Sequence, residues 1–380
     1  MMPLDLQLPT RIVFEPGSIS RLGELAILLS ASRVLIVSDH GVVAAGHFDA
    51  GAASLRNAGL AIHSFHDFAE NPNTDMVDAG VAVAARFKPD LLVGLGGGSS
   101  LDCCKGINFV YSCGGSMHDY HGIGKATGEL LPMIAVPTTA GTGSESQSFA
   151  LISDSRTHVK MACGDKRAAC RIALLDPLLT LTQPPRVTAL TGIDAISHAI
   201  ETYVTKKRTA ISTAFSRQAF SLLASGFPVV LRDPSDVEAR SRMQLGACLA
   251  GLAIETSMLG AAHATANPLT ARHDITHGQA VGLMLPGVIR MNGEQHASWY
   301  AELLREVEPD FDVDSAPERL AQIVDGFLDD AGLARSFQQL NIPVEQIPEL
   351  ASEALHQWTG TFNPIPLDHD RVQSLYREVS

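Results

Sequence analysis

Aromatic residues make up only 6% of this chain and charged residues only 18%, against 46% hydrophobic. So little charge beside so much apolar side chain argues against a disordered protein. It fits a globular one with much interior or subunit-interface surface. The charge that is present sums to a formal −13 and includes no basic run, which argues against nucleic acid as a partner. The six cysteines, Cys103, Cys104, Cys113, Cys163, Cys170 and Cys248, contain no Cys-x-x-Cys pair. A cysteine zinc site is therefore not expected, and reduced thiols in a cytoplasm are. No run of about 18 apolar residues is there to span a bilayer. The opening Met-Met-Pro-Leu-Asp-Leu lacks the basic and apolar segments of a signal peptide. Tandem repeats and low-complexity segments are missing too. What remains is a chain of 380 residues, too long for one comfortable core, so two domains are expected.

The first half reads as strands alternating with helices. Residues 11–14, 33–38, 60–65, 90–95, 133–137, 149–153 and 171–175 read as short strands, that at 60–65 the weakest, and the β-branched run at 33–38 suits a buried parallel strand. Helices are expected over 18–29, from Thr74 as N-cap to Phe87, and from the glycine-rich turn to Val110. Asp39 ends its strand, where it either caps a helix or accepts from a ribose hydroxyl. Gly96-Gly-Gly-Ser-Ser100 follows the strand at 90–95, and glycines there let backbone amides approach a phosphate at a helix N-terminus. Asp102 either caps that helix or touches a cofactor. A second loop of small hydroxyl residues, Thr138-Thr-Ala-Gly-Thr-Gly-Ser-Glu145, follows the strand at 133–137. Two such loops point to a dinucleotide crevice at the strands' carboxyl ends. Lys160 reads as an anion anchor or as surface charge, and His118 and His121 as loop residues.

Gln183-Pro-Pro185 breaks this pattern, and helical periodicity runs from there to the end. The expected domains are therefore 1–183, an α/β nucleotide-binding domain, and 184–380, all-helical. Helices are expected around 190–200 and at 237–256, 278–291, 316–331, 348–358 and 368–379. Asp194 and His198 lie four apart, on one helix face. His263 and His277 lie in a small, apolar stretch. Alone, each has an ordinary explanation: a local ion pair, a core histidine, a helix start. Together, three imidazoles and a carboxylate can close around a divalent metal and leave a position open.

The chain resembles the iron-containing (group III) alcohol dehydrogenases. The resemblance is carried by Gly96-Gly-Gly-Ser-Ser-Leu-Asp102, Pro137–Glu145, Leu175-Asp-Pro-Leu-Leu-Thr-Leu-Thr182, Gly192-Ile-Asp-Ala-Ile-Ser-His-Ala-Ile-Glu201 and His263–Gly278, in that order. It implies a Rossmann-like domain followed by an all-α domain, the dehydroquinate synthase-like fold, with the site in the cleft between them. It implies metal ligands at Asp194, His198, His263 and His277. It places Asp39, Asn71, Gly97, Gly98, Ser99, Asp102, Thr138, Thr139, Thr142, Lys160 and Leu179 around the dinucleotide. Asp39 then favours NAD over NADP, since a carboxylate repels a 2′-phosphate. One departure stands out: many members have a second histidine where this chain has Asn267, and an amide cannot titrate. His273 is a candidate catalytic substitute.

The implied reaction is reversible hydride transfer between a primary alcohol or diol and NAD, with Fe²⁺ as the metal and Zn²⁺ suiting the same ligands. Phe149, Leu259, His273 and Phe362 are candidates to shape the substrate pocket, and Thr359–Pro364 to close it. A homodimer or larger homo-oligomer in the cytoplasm is expected. The alternatives are a sugar-phosphate cyclase of the dehydroquinate synthase type, a specialised oxidoreductase such as maleylacetate reductase, and a non-catalytic relative.

Overall fold

The structure, a computed structural model, describes residues 7–380, so the reading of the first six residues lies outside it. Contacts divide the chain into two compact units. One takes the described residues up to Thr139 together with Gly143–Gln183, and the other takes Ala140–Thr142 and Pro184–Ser380.

The first unit has nine strands: β1 (Arg11–Phe14), β2 (Arg33–Val37), β3 (Ala61–Phe65), β4 (Leu91–Gly96), β5 (Gly122–Ile123), β6 (Met133–Pro137), β7 (Phe149–Ser153), β8 (Lys160–Gly164) and β9 (Ile172–Leu175). Its helices are α1 (Leu22–Leu28), α2 (His40–Ala44), α3 (His47–Asn57), α4 (Thr74–Phe87) and α5 (Gly98–Cys113). Six strands form a sheet in the order β1-β9-β6-β4-β2-β3, and every pairing in it is parallel. A parallel sheet needs both faces covered. Alternate residues of one strand therefore serve two cores. Val34 and Ile36 pack with Leu22, Leu25, Ala52 and Leu55, while Leu35 and Val37 pack with Val77, Leu101 and Ile107. The chain leaves β2 for β3 on one side and returns to β4 on the other. The order thus reverses between β2 and β4, the position at which such sheets bind ligands beyond their carboxyl ends. A smaller sheet, β5-β8-β7, completes the unit.

Several expectations need correcting. Asn73, not Thr74, caps α4: its side chain accepts from Met76 N–H, while Thr74 is the first helical residue and bonds Ser155. Strand β8 was not expected; its mixed sequence, Lys-Met-Ala-Cys-Gly, is held by antiparallel pairing along β7. Helices α2 and α3 occupy a stretch that carries no strong apolar period.

The second unit is helical throughout its described elements: α6 (Pro185–Tyr203), α7 (Ala210–Arg232), α8 (Val237–Thr256), α9 (Ala261–His273), α10 (His277–Leu304), α11 (Ala316–Asp330), α12 (Ile347–Leu355) and α13 (His369–Glu378). Helix α10 runs further than expected, across a backbone break at His296. The expected helix ending at Trp358 stops at Leu355, and a 3₁₀ segment follows at Trp358–Phe362. No single described helix is long and apolar enough to cross a membrane.

Helix α6 is the axis of this unit. Fifteen of its residues are buried, so it is enclosed on all sides. Ile193, Ile196 and Ile200 join Phe220, Leu223 and Phe227 of α7 and Val281, Leu285 and Ile289 of α10 in one core. Close approach is set by glycine: a Cβ on Gly278 would lie 2.1 Å from the Leu190 carbonyl oxygen, so α10 begins backbone against backbone on α6.

Candidate metal centre and dinucleotide loops

Charged side chains are costly inside an enclosed helix unless they are paired. Helix α6 nevertheless buries Asp194, His198 and Glu201, four and then three residues apart on one face. Helix α9 brings in His263, one turn from its start, and α10 brings in His277 as its first residue. All three imidazoles converge on one atom. Asp194 Oδ1 lies 3.3 Å from His198 Nε2, 3.6 Å from His263 Nε2 and 3.7 Å from His277 Nε2. Ligands held at about 2.0–2.2 Å around a tetrahedral ion sit about 3.3–3.6 Å from one another. The observed spacings fall close to that edge length.

Of the buried atoms without a hydrogen-bond partner, Asp194 Oδ1 and His263 Nε2 meet in this cluster, and His198 Nδ1, the ring nitrogen not turned to Asp194, is a third. Every ion pair of Asp194 and Glu201 is with histidine, so two buried carboxylates face each other's imidazoles with no lysine or arginine to neutralise them. A divalent cation fits both needs: it would take Asp194 Oδ1 and His263 Nε2 and balance the two negative charges. Asp194, His263 and His277 offer donor atoms within 4.8 Å of one another, and His198 reaches the shared oxygen from a turn along α6. The His277 side chain is 35% exposed and the other three no more than 8%, so the cluster opens on the His277 side.

The electrostatics follow from the crowding. Burial works to raise the Asp194 pKa, but His198, His263 and His277 outweigh it and hold the carboxyl well below its usual range. Burial pushes His198 down, toward the neutral ring a metal requires. Burial also works to lower His263, but Glu201 and Asp194 overcome it and hold the ring at about 9.

Glu201 went unrecognised at the sequence level. It accepts from His263 Nδ1–H through Oε2 and from Ala262 N–H, at 2.7 Å, through Oε1. The available signal was the spacing Asp194–His198–Glu201. His273 does not join the cluster. It ends α9, roughly 15 Å along the helix from His263 at 1.5 Å per residue. Asn267 shares the His263 face of α9 and donates to Gln357 Oε1 at 2.9 Å.

In the α/β unit, the expected cofactor residues gather at the ends of β2, β4 and β6. Of its two readings, Asp39 shows the helix cap. Oδ1 caps α2 by accepting from Val42 N–H at 3.0 Å, and Oδ2 accepts from the Ser100 hydroxyl at 2.8 Å. Each oxygen keeps a further lone pair. Gly96, at φ +151°, must be glycine: a Cβ would meet Ser100 Oγ at 2.3 Å. Gly97 caps α5 with no side-chain bond, which leaves the first amides of a sixteen-residue helix, Gly98 and Ser99 among them, aimed outward. Thr139 stands against Gly97, and Thr138 N–H donates to the Gly96 carbonyl at 3.0 Å. Asn71 N–H donates to Ser99 Oγ at 3.1 Å, and Lys160 Nζ approaches Asn71 Oδ1 at 3.4 Å. One cation and a row of amides thus stand beside the β4 loop, a fit for a pyrophosphate. Asp102 lies in the second turn of α5, where it accepts from the Ser144 hydroxyl at 2.7 Å and does not cap the helix. Leu179 is a core residue against Leu22 and Val93, and Thr142 belongs to the second unit.

Similarity to known proteins covers nearly the whole chain. Residues 9–177 match the family described as iron-containing alcohol dehydrogenase, and residues 188–380 match its C-terminal domain. The chain is 32% identical to a 1,3-propanediol dehydrogenase of Klebsiella pneumoniae over 98% of each protein. It is also 32% identical to an NAD-dependent methanol dehydrogenase of Bacillus methanolicus over 94% of each. A crystal structure of a 1,3-propanediol oxidoreductase superposes over 100% of both chains with a TM-score of 0.96, at 30% identity.

Proposed function

Since the chain belongs to the iron-containing alcohol dehydrogenase family, we propose that it oxidises a primary alcohol or diol to the aldehyde, reversibly, with NAD and a divalent metal. The observation that carries this reading is the convergence of three imidazole Nε2 atoms on Asp194 Oδ1 inside a buried helix. Fe²⁺ suits the ligand set and the family; Zn²⁺ suits the same donors and binds such sets more tightly. When bound, the metal supplies Lewis acidity toward an alcohol oxygen, and NAD supplies the hydride acceptor.

The chain's own residues do the rest. Asp194, His198, His263 and His277 would hold the ion, and all but His277 are buried away from water. His277, the most exposed of the four, marks the edge at which solvent can take the alcohol's proton. Asn267 fixes a hydrogen bond to Gln357 and has no proton to relay. The α5 amides, Ser99, Asn71 and Lys160 would take the pyrophosphate, and Asp39 the adenosine ribose. Asp39 favours NAD, because its charge repels a 2′-phosphate. A cytoplasmic homo-oligomer completes the reading, supported by six free thiols and the low charge content.

NADH formation from a panel of short primary alcohols and diols tests the proposal. Activity is expected to vanish when the metal is removed and to return with anaerobic Fe²⁺ or Zn²⁺. Failure with every alcohol, in protein that binds both metal and NAD, would contradict it and direct attention to acidic or phosphorylated substrates.

A further inference from the structure

We propose that Glu201 is a positioning residue of the metal centre: by holding the His263 Nδ1 proton it leaves Nε2, the nitrogen turned toward Asp194, as the one a metal can take. The inference rests on reading the cluster as a metal centre.

Both oxygens of the Glu201 carboxylate are engaged. Oε2 accepts from His263 Nδ1–H and Oε1 accepts from Ala262 N–H. The side chain is 4% exposed, so no water competes for either oxygen. Held at both ends, the carboxylate cannot swing toward the cluster and serve as a ligand itself. It acts through its neighbour. When a metal displaces one proton from the ring, a carboxylate at Nδ1 keeps the other there and leaves Nε2 to the metal. His263 Nε2 is the atom that lies 3.6 Å from Asp194 Oδ1 with no hydrogen-bond partner.

The second bond gives Glu201 a further task. Helix α9 begins at Gly260 with no capping side chain of its own. Its first two amides are taken by distant residues: Ala261 N–H by Asn363 Oδ1 and Ala262 N–H by Glu201. One carboxylate on α6 thus ties the start of α9 and orients the ring one residue further on. There is little room for any other arrangement, since a Cβ on Gly260 would lie 3.1 Å from Asn363 Oδ1 and 3.2 Å from Glu201 Oε1.

Glu201→Gln separates the two tasks. An amide has one acceptor oxygen, so it cannot satisfy both bonds. With its oxygen on Ala262 N–H, its NH₂ faces Nδ1 and drives the ring proton to Nε2, where it blocks the metal. The probe is Co²⁺ titrated into metal-depleted protein, followed by its visible spectrum, beside thermal melts of the metal-free proteins. We expect the variant to melt close to wild type and to bind Co²⁺ about 10–100-fold more weakly. A variant that binds Co²⁺ as wild type does, whether or not its melting temperature falls, reduces Glu201 to a helix cap and overturns the proposal. Wild-type protein that binds no Co²⁺ removes the metal centre itself, a separately visible failure. Should Glu201→Gln not fold, ¹⁵N spectra of the histidine rings in Zn²⁺-loaded wild type decide. A His263 ring protonated at Nδ1, identified by its loss in His263→Gln, supports the proposal, and an unprotonated Nδ1 overturns it.

Discussion

The helical unit and the α/β unit prepare for their ligands by opposite means. In the helical unit, side chains from three helices meet around one carboxylate oxygen, and most of them are buried. Asp194 Oδ1 and His263 Nε2 meet there without a hydrogen-bond partner, and the two buried carboxylates have only histidines to pair with. In the α/β unit the work falls to backbone amides at the start of α5 and to half-buried or exposed side chains. Most of those side chains, such as Asp39 and Asn71, already have partners. The first site converges on one small point, so each side chain is indispensable. The second spreads an extended ligand over many weak contacts, so each contributes a little.

That contrast predicts a ranking of effects. His263→Ala removes a buried ligand and should lower kcat/KM by on the order of a thousandfold or more, with Co²⁺ affinity falling in parallel. A loss under tenfold would break the comparison. Gly278→Ala tests how tightly the backbone holds the cluster. Its new Cβ would meet the Leu190 carbonyl at 2.1 Å, contact that no rotamer can relieve. We expect a loss of about 1–3 kcal/mol in unfolding free energy together with weaker metal binding, because His277 is the adjacent residue. Asp39→Asn keeps an acceptor for the α2 cap, removes the charge and turns an NH₂ toward Ser100, whose hydroxyl can accept in its turn. The ratio of NADP to NAD turnover should rise by about tenfold, with metal affinity unchanged. An effect on the metal would contradict the separation of roles.

The smallest expected effect is acid sensitivity in the α/β unit. The Arg167 guanidinium holds Asp165 below its ordinary 3.8, against the opposing effect of burial. A carboxyl depressed on folding contributes its stability above the unfolded value and loses it as pH falls through the folded one. The wild-type melting temperature should therefore drop between pH 5 and pH 3 by more than that of Asp165→Asn. Equal slopes would count against it.

The same contrast decides what could be read in the sequence. Strands β2, β4 and β6 were legible as unbroken apolar runs, because a parallel sheet buries both faces. Strand β8 was not, since pairing to β7 holds a mixed segment that has no pattern of its own. Asp194, His198, His263 and His277 stood out through residue type and spacing. Glu201 did not, since a glutamate seven residues after an aspartate reads as an ordinary helix surface until the helix proves to be enclosed. His273 looked suitable from proximity in sequence, but ten residues of α9 carry it away from His263. Asp39 allowed two readings because the cap and the ribose acceptor ask for the same residue at the same strand end.

The central claim is that Asp194, His198, His263 and His277 form one divalent metal centre. The most direct test is metal content after reloading: wild type, Asp194→Asn and His263→Ala are stripped, given anaerobic Fe²⁺, desalted and analysed. The account predicts one ion per wild-type chain and essentially none in either variant, with all three folded by circular dichroism. Variants that retain a full equivalent would place the metal elsewhere and contradict it.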